Sequence, residues 1–310
     1  MAEGENWERK TLEKIALAAV TEQRRARRWG IFFKSLGFLY LFLLLAAFMG
    51  WLTPEELPAG RKHTALVELE GVIAPGAPAN ADRIIEGLNK AFKDKNTQGV
   101  ILRINSPGGS PVQAGRINDE IRRLRAQYPH IPLYAVVDDL CASGGYYVAV
   151  AAERIYVDKA SIIGSIGVII NGFGFTGAMD KLGVERRLLI AGENKAFLDP
   201  FSPENPQQKA YAQNMIEEIH QQFIEVVRKG RGSRLNETPD MWSGLVWHGA
   251  KAIELGLADA LGSVQSVARD VIKAENVVDF TPQQSLADRL ARRFGSAAAQ
   301  ALFDSKLELR

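Results

Sequence analysis

The longest hydrophobic feature of the chain is an uncharged run near its N-terminus. Residues 36–52 read LGFLYLFLLLAAFMGWL, and the apolar residues 31–33 extend this run on the other side of Lys34. At about 1.5 Å per residue, a helix of this length crosses the ~30 Å hydrocarbon core of a bilayer. The long side chain of Lys34 can reach the interface from within such a helix. The pattern therefore predicts a transmembrane helix over residues 31–52.

Charges and aromatic residues beside the run predict its orientation. Four arginines stand directly before it: Arg24, Arg25, Arg27 and Arg28. Cytoplasmic flanks of membrane helices are rich in arginine and lysine, and tryptophans such as Trp29 and Trp51 favour the two interfaces. We expect residues 1–30 to form a cytoplasmic arm and the residues after 52 to lie outside the cytoplasm.

A cleaved signal peptide is the alternative interpretation of the same run. Some thirty residues precede the run, which is longer than a usual n-region. No convincing A-x-A cleavage site follows it. An uncleaved anchor is the better interpretation.

Beyond a polar linker at residues 53–63, strand-like and helix-like segments alternate. The strand-like segments are 65–70, 99–104, 132–137, 154–157 and 186–190. One helix is predicted after the cap Asn80, another after Ser110 with Pro111 at its first position, and a long one from Ser202–Pro203 to Gly230. This alternation predicts an α/β domain with a largely parallel sheet over residues 64–275. For residues 276–310 the sequence leaves open an amphipathic helix or a tail.

The amino-acid composition argues against several kinds of binding site. The net charge of +2 gives no reason to expect nucleic acid as a partner. Cys141 is the single cysteine, so no disulfide can form within the chain, and the four histidines are far apart. No metal-binding spacing is present. We expect neither a metal site nor a cofactor.

Three glycine-rich turns carry the candidate chemistry. They are residues 105–110 (NSPGGS), 142–145 (ASGG) and 164–167 (GSIG). The first lies between a predicted strand and a helix N-terminus, where glycine N–H groups can face an oxyanion. The turn could equally be a tight Pro-Gly-Gly bend with no catalytic role. The third turn, which contains Ser165, could be an ordinary turn, and it is a candidate only because the other two turns are present.

Ser143 in the second turn is the candidate nucleophile. A serine at a strand-to-helix corner can expose its hydroxyl, while the N–H of Gly144 helps to hold an oxyanion. Ser143 could instead be a helix N-cap. Cys141 is a second possible nucleophile, but a small packed residue is the simpler interpretation of it.

The serine needs a base, and the histidines are poor candidates. His63 falls in the linker, His130 in a surface turn, His220 within a long helix and His248 in a turn before a helix. Lys195, in the loop between two predicted elements, is the better candidate. A lysine amine can accept a proton only when it is neutral, which requires an environment that excludes water. Most lysines in loops are solvated, so spacing alone does not establish this role.

Taken together, five segments resemble peptidase family S49, the signal peptide peptidase A family, in its short form with one catalytic copy. The segments occur in family order: INSPGGS, ASGGYYVA, GSIGVI, AGENKAFLDPFSP and WSGLVWHGAKAIELGLADALG. The resemblance covers residues 64–275. INSPGGS alone would be less specific, because it also resembles the Clp protease proteolytic subunit and the crotonase superfamily.

The resemblance implies a fold and a set of roles. The fold would be α/β, a crotonase- or Clp-protease-like ββα spiral that follows the N-terminal transmembrane helix. Ser143 would be the nucleophile, Lys195 the general base and Ser165 the hydroxyl that orients the lysine. The N–H groups of Gly109 and Gly144 would form the oxyanion hole. Catalysis would proceed through an acyl-enzyme without a cofactor.

The resemblance also implies partners and a location. The substrates would be remnant signal peptides and other unfolded peptides. A single catalytic copy would form a homo-oligomer, because family members bring serine and lysine together from neighbouring catalytic units. The enzyme would sit in a bacterial inner (cytoplasmic) membrane as a single-pass protein, with its catalytic domain periplasmic or extracellular. Nucleic acid is not expected.

Two other functions stay open at this point. A crotonase-type enzyme acting on acyl-CoA would use the same pair of N–H groups without a serine nucleophile. A non-catalytic membrane scaffold would bind peptides or partner proteins. The presence of Ser143, Lys195 and Ser165 together argues against the scaffold.

Overall fold

A computed structural model describes residues 2–48 and 61–282 of the chain. Contacts divide the chain into two compact units, Met1–Ala59 and Gly60–Arg310. The predicted linker lies mostly outside the described residues. The domain bounds given above stay a prediction.

The described part of the first unit is one helix, α1, at Ala2–Phe48. Within it, Val20–Ala46 is long and apolar enough to span a membrane, and it is the one such helix among the described residues. This confirms an apolar N-terminal helix as a candidate for a membrane span. Residues 49–52 of the predicted span lie outside the described range.

The second unit is a mixed α/β domain built on one eight-stranded sheet. Its strands are β1 (His63–Glu70), β2 (Thr97–Ser106), β3 (Leu133–Ala142), β4 (Arg154–Val157), β5 (Ile162–Gly164), β6 (Val246–His248), β7 (Ala260–Leu261) and β8 (Val277–Asp279). Its α-helices of six or more residues are α2 (Ala81–Lys93), α3 (Pro111–Gln127), α4 (Gly144–Ala149), α5 (Thr176–Leu182), α6 (Pro206–Arg231) and α7 (Gly249–Glu254).

The strands follow the order β6-β5-β3-β2-β1-β8, with β4 beside β3 and β7 beside β4. All pairings are parallel except the one between β5 and β6. The predicted α/β class with a largely parallel sheet is confirmed.

The sheet is buried on both faces, as parallel sheets usually are. One face packs against α2, α3 and α4 through alternate residues of the central strands, including Val67, Leu102 and Val137. The other face carries Ile101, Val136 and Tyr156 under the helical segment that begins at Val264. Because the central strands are apolar on both faces, they form a rigid base for the turns that follow them.

Strand β3 divides its outer edge between two partners. Its first half pairs with β4 and its last three residues, Leu140–Ala142, pair with β5. The carboxyl end of β3 is therefore bordered by β5 and by the turn that follows β5. This arrangement places residue 143 beside residue 164.

The predicted helix starts of α2 and α3 are confirmed. The Asn80 side chain accepts from the Arg83 N–H, and Ser110 accepts from the Gln113 N–H with Pro111 at the start of the helix. The long helix starts slightly later than predicted, at Pro206 after the cap Asn205, and ends at Arg231. Proline fits this first position because its missing N–H would have no helical partner there.

The predicted strand at residues 186–190 is wrong. These residues form neither strand nor helix, and Leu189 is 98% exposed. The apolar residues that suggested a buried strand are exposed in one chain, with Leu188 and Ile190 at 40% and 45%. An apolar pattern in the sequence indicates that those side chains are buried, but it does not say whether they are buried within the same chain or against a partner.

A buried ion pair fastens the end of α6 to the sheet. The Arg231 side chain is 1% exposed and its Nη1 lies 2.7 Å from Oδ2 of Asp259, which is 12% exposed. The same carboxylate accepts the Ile155 N–H of β4, and Arg231 Nε donates to the Gly256 carbonyl. Burial alone would raise the pKa of Asp259, but the hydrogen bond and charge of Arg231 hold it below its ordinary value.

We expect Asp259→Asn to lower the free energy of unfolding by about 3–5 kcal/mol at neutral pH, because Arg231 would keep a buried charge without a counterion. A carboxylate with a lowered folded pKa stabilises the protein above its unfolded pKa of ~3.9 and loses that effect as pH falls through the folded value. The deficit should therefore shrink in acid. Denaturant unfolding of the full chain in detergent at about pH 7 and pH 3 measures it.

Asp270→Asn is the matched control. Asp270 pairs with Arg269, and both side chains are more than half exposed. Exposed pairs contribute less than ~1 kcal/mol. Equal unfolding free energies for the two variants would contradict the assigned role of the Arg231–Asp259 pair.

Candidate active site

Ser143 occupies a strained corner between β3 and α4. Its φ of 52° and ψ of −123° lie outside the regions that a non-glycine residue normally adopts. Strain of this kind persists only where the surroundings impose it, and it is frequent at active sites. Ser143 holds the N-cap position of α4, yet its side chain makes no capping hydrogen bond. The simple N-cap interpretation is therefore wrong.

The backbone on both sides of the corner is fixed. The Ser143 N–H donates to the Gly164 carbonyl at 2.8 Å, and the Ser143 carbonyl accepts the Tyr147 N–H at 2.9 Å. The fully buried Tyr146 donates its hydroxyl to the Leu257 carbonyl at 2.8 Å. These bonds hold the serine in its unfavourable conformation, and the residue is half-buried.

The Gly108–Gly109 turn packs directly against this corner. A Cβ atom on Gly108 would lie 2.6 Å from the Gly144 nitrogen and 2.8 Å from Cβ of Ser143. A Cβ atom on Gly144 would lie 3.2 Å from the Gly109 nitrogen. Both glycines of the first turn have positive φ, 95° and 145°. Only residues without side chains allow the two turns to approach so closely.

The N–H groups of Gly109 and Gly144 thus lie close together beside Ser143. The Ile73 N–H donates to the Gly108 carbonyl, and the Ser110 N–H donates to the Ile73 carbonyl. In a parallel bridge of this kind, the N–H of the residue between them, Gly109, points away from the partner strand. Gly144 opens a helix, where the first N–H groups have no partner within the helix. Two backbone N–H donors in this setting can hydrogen-bond an oxyanion that develops beside Ser143.

Ser106 is a supporting residue that sequence reasoning missed. Its Oγ donates to the Gly71 carbonyl at 2.6 Å and accepts the Gly108 N–H at 3.1 Å. It therefore links the end of β1 to the Gly108–Gly109 turn. Its position at the end of a strand before Pro-Gly-Gly was visible in the sequence, but its partner Gly71 was not.

Ser165 lies in the turn that touches the Ser143 corner. Its φ is also 52°, and its N–H donates to the Leu245 carbonyl at 2.7 Å. The preceding residue, Gly164, supplies the carbonyl that receives the Ser143 N–H. The structure thus brings together four of the five predicted site residues, namely Ser143, Gly109, Gly144 and Ser165, through adjoining turns.

Lys195 does not join this group within one chain. It is exposed in the segment between α5 and α6, and its backbone N–H donates to the Gly192 carbonyl at 2.9 Å. Among the described residues, no hydrogen bond or ion pair connects its side chain to Ser143 or Ser165. The two aromatic residues near it in sequence have other partners, since Phe197 packs on Tyr211 and Phe201 stacks on Phe175.

The alternative nucleophile and bases have structural roles. Cys141 is fully buried and burial raises its pKa, so the reactive thiolate is strongly disfavoured. His248 accepts the Lys251 N–H as the cap of α7, and His63 lies between Arg61 and Thr97. His130 packs against Tyr128.

Sequence comparison agrees with this geometry. The family model described as Peptidase family S49 matches residues 125–278. A Synechocystis sp. protein provisionally named a protease is 30% identical over 203 residues, which are 66% of this chain and 71% of that protein. The chain belongs to peptidase family S49. It is a serine peptidase.

Further relatives of this S49 peptidase include a protein of Enterococcus faecium provisionally named signal peptide peptidase SppA. It is 29% identical over 240 residues, 74% of this chain and 69% of the relative. A Brucella melitensis protein named Na(+)/H(+) antiporter NhaA is 40% identical over 247 residues. The match includes 77% of this chain but only 33% of the Brucella protein. The antiporter name therefore describes a much longer molecule.

We expect Gly109→Ala to abolish peptidase activity, because its Cβ would overlap the Ile73 carbonyl and the required φ of 145° is unfavourable for alanine. Hydrolysis of a fluorogenic peptide measures the loss. Gly115→Ala is the control. Gly115 lies within α3 with open space around it, so alanine there should keep activity and leave the fold intact or slightly more stable. A fully active Gly109→Ala enzyme would contradict the proposed oxyanion hole.

Proposed function

We propose that this S49 peptidase is a membrane-anchored serine endopeptidase with a Ser143–Lys195 dyad. The observation that carries the proposal is the strained Ser143 corner beside the N–H groups of Gly109 and Gly144. A hydroxyl held at such a corner next to two backbone donors can attack a peptide carbonyl.

The proposed reaction has two halves. In the first, Lys195 in its neutral form takes the Ser143 proton while Oγ bonds to the substrate carbonyl carbon. The peptide C–N bond then breaks, and the amine leaves with the proton from Lys195, so an acyl-enzyme remains on Ser143. In the second, water loses a proton to Lys195 as it attacks the ester carbonyl. The bond between the acyl carbon and Ser143 Oγ then breaks, Oγ takes the proton back from Lys195, and the acid leaves. Gly109 and Gly144 would stabilise the oxyanion in both halves, and no cofactor is needed.

Exposure of Lys195 favours a dyad formed between two copies of the chain. A lysine base must be neutral, which water around an exposed amine opposes. Residues 168–201 also expose an apolar surface that includes Ile169, Phe173 and Leu189 at 83%, 75% and 98%. Exposed apolar surface of this extent marks an interface. A second copy that covers it would bury Lys195 at the same time, so we propose a homo-oligomer with shared sites.

The segment that carries Lys195 is nevertheless ordered by its own contacts. Arg186 Nη1 donates to Asp199 at 2.5 Å, and the Ser202 hydroxyl donates to the same carboxylate at 2.5 Å. Arg186 also lies over the Phe201 ring, 5.6 Å from its centroid. These contacts give the loop a defined shape before a partner arrives. They would allow Lys195 to enter a neighbouring site without a large ordering cost.

The substrates and location follow from the helix α1 and the relatives. Proteases named among the relatives imply peptide substrates. With the apolar part of α1 as an anchor and the arginines that precede this apolar part on the cytoplasmic side, the catalytic domain would face the periplasm or the exterior. We propose remnant signal peptides and other unfolded peptides near the bacterial inner membrane as substrates.

Complementation between two inactive variants tests both the dyad and its shared geometry. Ser143→Ala and Lys195→Ala, each made in the full chain in detergent, should separately lose peptide hydrolysis. If each active site takes its serine from one copy and its lysine from another, co-expressed variants should regain a fraction of wild-type activity. The measurement is the rate of fluorogenic peptide hydrolysis by purified mixed oligomers that carry two different tags.

Matched controls separate catalysis from folding. Cys141→Ala and Lys181→Ala should remain active, because Cys141 is a packed residue with no assigned catalytic role and Lys181 is an exposed lysine of the neighbouring helix α5. Peptide hydrolysis by folded Ser143→Ala would exclude Ser143 as the nucleophile. Absence of peptide hydrolysis by the wild type would favour the scaffold or acyl-CoA alternatives. If verified mixed oligomers recover no peptide hydrolysis, the active site is not shared between copies, and a dyad within one chain would remain possible.

A further inference from the structure

His220 lies on α6 yet contacts the turn that contains Ser165. We propose that His220 is a positioning residue, which holds the Ser165 hydroxyl where it can orient the Lys195 amine. This inference rests on the proposed roles of Ser165 and Lys195. From the sequence alone, His220 was a poor candidate for the base because it lies within a long helix.

The contact is a single hydrogen bond with a defined direction. Nε2 of His220 lies 3.1 Å from the Ile166 carbonyl oxygen. A carbonyl oxygen can only accept, so Nε2 carries the hydrogen and donates it. Both the neutral Nε2–H tautomer and the charged ring can make this bond. The histidine therefore acts through position and not through proton transfer.

The Ser165 turn needs such support because its conformation is unfavourable. Ser165 has a φ of 52°, which costs free energy for a residue with a side chain. The Leu245 carbonyl holds its N–H from one side. His220 holds the carbonyl of the following residue, Ile166, from α6. Together these bonds fix the peptide unit before Ser165 and the peptide unit after Ile166, so the turn is held on both sides of Ser165.

The turn that contains Ser165 also contacts Ser143. Its position therefore affects both the Ser165 hydroxyl and the proposed nucleophile. Gly164 receives the Ser143 N–H, and Gly167 packs closely on Gly244, with an added Cβ only 3.3 Å from Cα of Gly244. The apolar residues Phe223 and Ile224, one turn beyond His220, are 5% exposed and anchor α6 to the core. The donor therefore comes from a rigid element, as a positioning residue requires.

A double-mutant cycle distinguishes positioning from general stability. The variants are His220→Ala, Ser165→Ala and the two combined, each in the full-length oligomer, with peptide hydrolysis as readout. We expect His220→Ala to lower kcat roughly 10- to 100-fold with little change in KM, since a displacement of about 1 Å at a site can cost this much. If His220 acts through Ser165, the combined variant should be no slower than Ser165→Ala.

Rescue provides the second readout. His220→Gln places an amide N–H near the position of Nε2 and should restore most of the lost kcat. His220→Leu keeps apolar bulk without a donor and should remain slow, which covers the case in which the alanine variant fails to assemble. His130→Ala, at a surface turn, should have no effect.

The outcomes separate this inference from the function on which it rests. Independent, multiplicative losses in the combined variant, or a Leu variant as active as the Gln variant, would overturn the role of His220 while leaving the dyad intact. If Ser165→Ala is as active as wild type, the proposed role of Ser165 fails, and the inference fails with it. Loss in Ser165→Ala with full activity in His220→Ala would refute the inference alone.

Discussion

The strained backbone at Ser143 is the constraint on which the rest of the site depends. A serine with φ of 52° would relax if its neighbours allowed it. It is held by the Gly164 carbonyl on one side and by close contact with the Gly108–Gly109 turn on the other. Three parallel strands deliver these turns to one edge of the sheet, and their burial on both faces makes that edge rigid. The fold thus places a hydroxyl and two N–H donors together, and among the described residues no basic side chain is hydrogen-bonded to that hydroxyl.

A base supplied by a neighbouring copy would explain the exposed apolar surface of the second unit. Lys195 sits on a segment that is braced internally by Asp199 yet exposes Phe173 and Leu189 to solvent. A chain that contained its own catalytic base would not need this exposed apolar surface for catalysis. A chain that gives its lysine to a neighbour needs an ordered segment with an apolar contact face. Oligomer assembly and catalysis would then be a single event, which keeps an isolated copy inactive.

The sequence predicted those parts of the fold that local chemistry determines. Asn80 and Ser110 cap helices as expected, because a capping side chain acts on its own backbone three residues away. The roles of Gly109 and Gly144 were implied by the family resemblance and stay a prediction, while the close approach of their turns shows why a side chain would not fit at residue 109. The strand predicted at residues 186–190 was wrong, and its apolar residues are exposed among the described residues. The contact of His220 with Ile166 could not be predicted, because it joins elements 54 residues apart.

The most direct test of the account is the identity of the residue that becomes acylated. The intact oligomer in detergent would be treated with a fluorophosphonate that reacts with activated serine hydroxyls, digested and mapped by mass spectrometry. The account predicts a single modified residue, Ser143, and loss of labelling when Lys195 is replaced by alanine. Modification of Ser165 or of another serine, with Ser143 unmodified, would contradict the proposed site.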